Sequence, residues 1–303
     1  MSATPDLSIV ILSWNTRELT LACLRALERD TTRLAREIIV VDNHSGDGSA
    51  DAVAQAFPYV VLVRNEENRL YAAGNNQGVE RATGRYVCLL NSDTEVVPGA
   101  LDILVRFLAE NPEYGAVSPR LNSFDGSVQR ACTRFPGLLD VIVDSTHFSH
   151  TPIGKRRHAR TRMHDFDHQS TRDVDQPPGA VFMMRREEYI ERGGLDEELS
   201  LFYNDVDLCR RLWASGRKIR YIAEAQVFHH QGASTSRSAR VQSLWADNRL
   251  SYYAKHHGLT GAVWVRFVRW LAQMQIAAGV VLGPRAIHEK IAALNELGAQ
   301  ARR

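Results

Sequence analysis

Short apolar runs alternate with amphipathic stretches through the first third of the chain, and no other feature limits the fold as much. Residues 7–13 (LSIVILS), 37–42 (EIIVVD), 59–64 (YVVLVR) and 85–90 (RYVCLL) are apolar and rich in β-branched side chains. That is the pattern of strands buried on both faces. Residues 16–29 carry Leu19, Cys23, Leu24 and Leu27 at helical spacing, with Glu18 in the first turn. Residues 49–56 and 74–82 also read as helices. Strands joined through helices run parallel, because each crossover returns the chain to the same end of the sheet. The expectation is an α/β fold, a mainly parallel Rossmann-like sheet flanked by helices. Ligands in such sheets gather at the carboxyl ends of the strands. Asp42 and Asp93 both stand at such ends.

Beyond Pro98 the pattern loosens. A helix fits residues 99–110, and a polar stretch follows. Residues 147–172 hold five histidines and six Lys and Arg with little periodicity, which predicts a mobile loop. Lys155, Arg156, Arg157, Arg160 and Arg162 cluster there and suit an anionic acceptor. Helices are predicted at 186–192 and 205–215, a strand at 218–222, and mostly helix after 231. The chain of 303 residues fits about two domains. Residues 1–98 are expected to form a nucleotide-binding half and 99–236 an acceptor-binding and catalytic half of one domain. Residues 237–303 are expected to form a helical C-terminal extension.

Composition removes several classes. With 37 Lys and Arg against 35 Asp and Glu, nothing argues for a nucleic-acid partner. Four scattered cysteines form no C-x-x-C pair, which argues against a zinc module or disulfide framework and fits a reduced cytosol. The N-terminus lacks the basic start and cleavage site of a signal peptide. No run of 18 apolar residues is uninterrupted, so a cytoplasmic protein without a spanning helix is expected. Residues 264–282 are apolar but carry Arg266, Arg269, Gln273 and Gln275. They suit either a helix lying at the inner face of the plasma membrane or one packed on the domain or in a homodimer.

The residues able to carry chemistry sit at strand and helix ends. Asp42 opens the turn NHSGDGS, where a carboxylate either reads a base or ribose or simply caps the turn. Neither G-x-G-x-x-G nor a Walker lysine motif follows the first strand, which counts against NAD-dependent and P-loop enzymes. Asp93, in Asn91-Ser92-Asp93, either serves a divalent cation on a diphosphate or caps the next helix. Asp205 and Asp207 open a helix, where one carboxylate is a general base or both are first-turn acids. His229, after YIAEAQVF, suits a metal ligand or a structural histidine.

Seven segments occur in order between residues 7 and 236: VILSWN, EIIVVDNHSGDGS, AAGNNQG, GRYVCLLNSD, PPGAVFMMRREEYIERGGLDEE, NDVDLCRRL and VFHHQGAS. Together they resemble the inverting nucleotide-sugar glycosyltransferases of family 2, which have the glycosyltransferase A fold. The nearest flavour is the rhamnosyltransferase-like branch that builds bacterial cell-wall and surface polysaccharide. The resemblance implies that Asp42 reads the nucleoside base, that Ser13, Asn15 and Ser92 line the nucleotide pocket, and that Asn75 and Arg85 contribute. It makes Asp93 the last acid of a D-x-D-like metal motif whose first position is Asn91 here. His229 then closes the site around Mg or Mn and the diphosphate. Asp205 becomes the catalytic base, with Asn204 replacing the Glu of a Glu-Asp pair, and Gly179 and Asp207 lie on the acceptor side.

The implied donor is dTDP-L-rhamnose, or another dTDP- or UDP-sugar, and the acceptor is a glycan or polyprenyl-diphosphate-linked glycan. One base and no covalent nucleophile imply direct displacement. Two other readings compete. A nucleotidyltransferase would carry a Gly- and Arg-rich phosphate loop, which VILSWNTRE lacks. A catalytically weak carbohydrate-binding protein on the same fold draws support from Asn91 and Asn204.

Overall fold

The computed structural model describes residues 4–230 and 239–282. The chain forms two compact units, one from Met1–Phe135 and Phe166–Ser236, the other from Pro136–Asp165 and Arg237–Arg303. Residues 136–165 thus group with the C-terminal helix.

In the first unit, β1 (Leu7–Ser13), β2 (Arg36–Asp42), β3 (Val61–Arg64) and β4 (Tyr86–Asn91) alternate with α1 (Arg17–Arg29), α2 (Ser49–Ala56) and α3 (Leu70–Arg81). They run parallel in the order β3-β2-β1-β4, as the alternation predicts. Glycine sets the fit of α3 on β1: a Cβ on Gly74 would come within 2.5 Å of the Leu12 side chain. Next come β5 (Thr94–Val96), α4 (Ala100–Glu110) and β6 (Tyr114–Asn122). Beyond β4 the sheet turns mixed. The strand β8 (Val181–Arg185) runs antiparallel between β4 and β6, while β9 (Lys218–His229) lies parallel to β6 and antiparallel to β5 and β7 (Arg172–Asp173). The core under β1, β4 and β9 is apolar, with Ile9, Ile11, Leu24, Leu90, Leu101, Leu104 and Val227 buried. Each such aliphatic side chain contributes about 1.5–3 kcal/mol relative to exposure. The helices α7 (Arg186–Glu191) and α8 (Asn204–Ala214) also belong to this unit, whereas α5 (Leu138–Ser145) and α6 (Pro152–Thr161) belong to the other.

The second unit corrects the loop expected over 147–172. Most of it is helical: a 3-10 turn spans His147–His150, and α6 spans Pro152–Thr161 after α5 (Leu138–Ser145). Thr151 caps α6 by accepting from the Gly154 N–H, and Pro152 stands at its first turn. The organising group is Asp140, only 1% exposed. It accepts two bonds from the Arg157 guanidinium, at 2.8 and 2.7 Å, and one from the Thr161 hydroxyl at 2.7 Å. A buried carboxylate satisfied this way gives a polar segment a fixed anchor without an apolar core. The helix α9 (Ala239–Leu282) is broken by Gly258 at φ +61° and ψ −155°. Arg249 bonds Ser145 Oγ and Val141 O, and the Trp264 indole donates to Leu138 O at 2.8 Å, which fastens α9 to α5.

Candidate active site

Parallel register brings Ser13 beside Asp42 and Leu12 beside Asn91, so the ends of β1, β2 and β4 share one edge. Asp42 is 4% exposed. Its Oδ1 accepts from the Ser45 N–H at 3.0 Å, whereas Oδ2 is buried without a hydrogen-bond partner among the described residues. Leaving such an atom unpaired costs about 1–3 kcal/mol, so it calls for a ligand N–H or O–H. Around it, Asn15 at φ +53° accepts from the Gly46 N–H at 2.8 Å and donates its own N–H to Ser45 Oγ at 2.9 Å. These bonds fasten the loop after β1 to the loop after β2. Asn43 fixes the far side through Asn65, Asn68, Arg69 and Leu70.

Asp93 lies in the turn between β4 and β5, and antiparallel pairing of Thr94 with His229 carries the histidine to it. His229 Nε2 stands 3.4 Å from Asp93 Oδ1. The other ring nitrogen, Nδ1, meets Gln129 Oε1 at 2.9 Å, while Gln129 Nε2 donates to His229 O and Ser123 Oγ. With the amide oriented by those two acceptors, its Oε1 faces Nδ1 as an acceptor, and the ring turns Nε2 toward the carboxylate. Two electron-pair donors that close need a proton or a cation between them. Carboxylate plus imidazole suits Mn, and Mg when diphosphate oxygens and water fill the remaining positions. Among the described residues no group of three or more His, Cys, Asp or Glu side chains gathers for a metal, so such an ion would lean on the nucleotide. Asn91 does not join in as an acid would. Its Oδ1 accepts from the Tyr71 hydroxyl at 3.3 Å.

Asp205, at the start of α8, approaches from the other side. Its Oδ1 accepts from the Val206 N–H at 2.8 Å and its Oδ2 from Gln176 Nε2 at 3.0 Å. Burial pushes its carboxyl above the ordinary range, against the pull of those two bonds. Tyr71 links the parts. Its hydroxyl donates to Gly179 O at 3.1 Å, and burial, with the charges of Asp205 and Asp93 nearby, holds the phenol protonated. Gly179 is there because nothing larger fits: a Cβ would lie 2.9 Å from Asp205 Oδ2. Gly179→Ala should therefore displace the carboxylate and lower kcat about 10²-fold at unchanged KM for donor. Steady-state kinetics check this, and a loss confined to donor KM would refute it.

Several expected residues are engaged in hydrogen bonds within the chain. Ser13 and Ser92 are both buried, and their hydroxyls meet at Thr16, 3.3 and 3.0 Å away, with Ser13 also bonded to Thr20. They brace β1 against the turn after β4. Asn75 is buried, with its amide spent on Tyr71 O, and Asn204 donates to Leu199 O at 2.9 Å. Asp207 is buried against Arg211 at 2.8 Å, and Arg211 also holds the Arg192 and Gly194 carbonyls. Arg85 stands at the opposite end of β4 from Asn91. It precedes β4, exposed above the Tyr86 ring, six residues and roughly 20 Å of strand from Asn91. Tyr71, Gln129 and Gln176 were not anticipated. Tyr71 leads the AAGNNQG segment, but the two glutamines lie in stretches without any periodic signal.

The family model for glycosyl transferase family 2 matches residues 8–188. The chain belongs to that family. In this family 2 glycosyltransferase, Asp205 and His229 lie beyond the matched segment. Over 255 residues it is 28% identical to the N-acetylglucosaminyl-diphospho-decaprenol L-rhamnosyltransferase of Mycobacterium tuberculosis (strain ATCC 25618 / H37Rv), across 79% of this chain and 80% of that one. It is 31% identical to the O-antigen biosynthesis protein RfbC of Myxococcus xanthus, across 83% of this chain and 19% of that longer protein. The fold matches the mannosyltransferase PcManGT from Pyrobaculum calidifontis, solved with GDP-Man and Mn2+, at a TM-score of 0.58 and 19% identity, covering 100% of this chain and 82% of that one. It also matches GalNAc-T7 with UDP, GalNAc and Mn2+ at 0.57 and 16%, covering 89% and 55%. This family 2 glycosyltransferase accordingly has the glycosyltransferase A fold.

Proposed function

We propose that this glycosyltransferase moves L-rhamnose from a dTDP-linked donor to a glycan or polyprenyl-diphosphate-linked acceptor, by one inverting displacement, in cell-wall or surface polysaccharide synthesis. The observation that carries the reading is the facing pair Asp93 and His229 on the sheet edge that also bears Asp42. The likeness to the N-acetylglucosaminyl-diphospho-decaprenol L-rhamnosyltransferase of Mycobacterium tuberculosis supports the sugar and the lipid-linked acceptor.

Residues 1–98 serve the donor in this reading, and 99–236 the acceptor. Asp42 Oδ2 takes a ring N–H of the base, and Asn15 keeps the loop beside it in place. Asp93 and His229 would hold a divalent cation, which would supply charge neutralisation to the diphosphate leaving group. Gln129 keeps the His229 ring turned toward Asp93. Asp205 accepts the proton of the acceptor hydroxyl as that oxygen attacks the anomeric carbon from the face opposite the diphosphate. Gln176 and Gly179 hold its carboxylate in position. Asn91 and Asn204, which argued for a degenerate protein, are each engaged in a hydrogen bond that supports the site or its helix.

A panel of nucleotide sugars tested for protection against thermal unfolding, with Mn present, examines this reading. A ligand at a hundred times its Kd adds about 2.7 kcal/mol to stability. dTDP-rhamnose should protect most and GDP-mannose not at all; the reverse order would overturn the donor assignment. Asp42→Asn should weaken binding of the protecting donor about 10–100-fold, the worth of a charge-assisted hydrogen bond.

A further inference from the structure

We propose that the helical unit binds an anionic phospholipid surface through the exposed face of α9 beyond Gly258. This inference stands apart from the transfer reading. Leu259, Val263, Phe267, Trp270 and Met274 recur at spacings of three and four and form one stripe on the helix. All five are exposed, Leu259 at 78% and Trp270 at 55%. The opposite stripe is spoken for: Val265 and Val268 are buried, and Trp264 is bonded to α5. Nine of the fourteen exposed large hydrophobics among the described residues belong to this unit, although it is the smaller of the two.

Charge identifies the occupant. Residues 136–165 and 239–282 carry ten Lys and Arg against four Asp and Glu, in a chain whose net charge is +2. No acid occurs between Asp247 and Glu289, while exposed Arg266 and Arg269 accompany the stripe. An apolar stripe with tryptophan and phenylalanine, flanked by arginine, matches the boundary between headgroups and acyl chains. A second copy fits less well, because a twofold contact sets each patch against itself and opposes its arginines. Insertion across the bilayer is excluded for the described residues, since no helix is long and apolar enough.

Co-sedimentation of the full chain with vesicles tests the surface. Vesicles of equal phosphatidylglycerol and phosphatidylcholine should bind it, and phosphatidylcholine alone should bind far less. Phe267→Ser with Trp270→Ser should weaken binding at least tenfold. Arg266→Glu with Arg269→Glu should weaken it by about fivefold or more per arginine, and raised salt should do the same to the parent chain. The proposal fails if the parent does not sediment with the anionic vesicles, or if both double variants bind as it does. It fails equally if ultracentrifugation shows a dimer that Phe267→Ser with Trp270→Ser dissociates while no vesicle is bound.

Discussion

Asp205→Asn lowers sugar transfer by about 10²–10⁴-fold and leaves donor binding intact. The substitution keeps the shape and one of the two acceptors, for the Gln176 amide or the Val206 N–H, and removes the basicity. Two accompanying results separate a base from a structural acid. First, transfer by the parent enzyme should rise with pH through a midpoint above the usual carboxylate range, because burial raises the Asp205 carboxyl. The residual activity of the variant should lack that limb. Second, the variant should melt higher at neutral pH. A carboxyl whose folded pKa lies above its unfolded value of about 3.8 is stabilising while protonated, and that stability is lost as pH rises through the folded pKa. Calorimetry at pH 7 and again below pH 4 should show the gain at the first and its disappearance at the second. Asp207→Asn should behave in the opposite way. It leaves Arg211 without its buried partner, at a cost of about 3–5 kcal/mol, and lowers the melting temperature. A higher melting temperature in Asp207→Asn with unchanged kinetics in Asp205→Asn would reverse the two assignments.

Excess chelator abolishes transfer, and Asp93→Ala does so at any cation concentration, with losses on the order of 10³ or more. The alternative for the Asp93 and His229 pair is a shared proton, an ion pair indifferent to chelator. Calorimetric titration of Mn into the enzyme with nucleoside diphosphate gives a readout that needs no turnover. Asp93→Ala should show no saturable binding, and Gln129→Leu should bind about 10–100-fold more weakly, the usual worth of a group that orients a ligating histidine. Full transfer in chelator, or equal Mn binding by all three proteins, would assign the pair to the proton.

The contrast between Asp42 and Gln129 explains how much of the site the sequence disclosed. Asp42 and His229 end strands, Asp93 lies in the turn after one, and Asp205 opens a helix, so each stands at an element boundary of the kind a sequence can show. Gln129 and Gln176 act by orienting other side chains, a role that depends on chain segments meeting in space and leaves no local pattern. The partners of Ser13 were hidden for a related reason: Thr16 and Thr20 meet its hydroxyl only once α1 packs beside β1. The four parallel strands were legible because burial on both faces demands unbroken apolar runs. The strand β6 was not, since YGAVSPRLN contains Gly and Pro, tolerated where its register against β9 shifts at two points. The helices over 147–172 depend on Asp140, one buried acid outside the segment, and composition could not reveal its reach.

The pairing of β5 with β9 sets the order in which the site comes into being. The edge bearing Asp42 needs only neighbouring strands and the helices between them, contacts a growing chain can make early. Gln129 and His229 are separated by 100 positions, so their side of the site waits on a distant loop closure. On the proposed reading, a nascent chain would assemble the edge bearing Asp42 before Asp93 and His229 can meet. Competence for transfer would then wait on the docking of β9. Mutations that slow that docking would lower the yield of active enzyme while leaving the finished molecule's kinetics untouched.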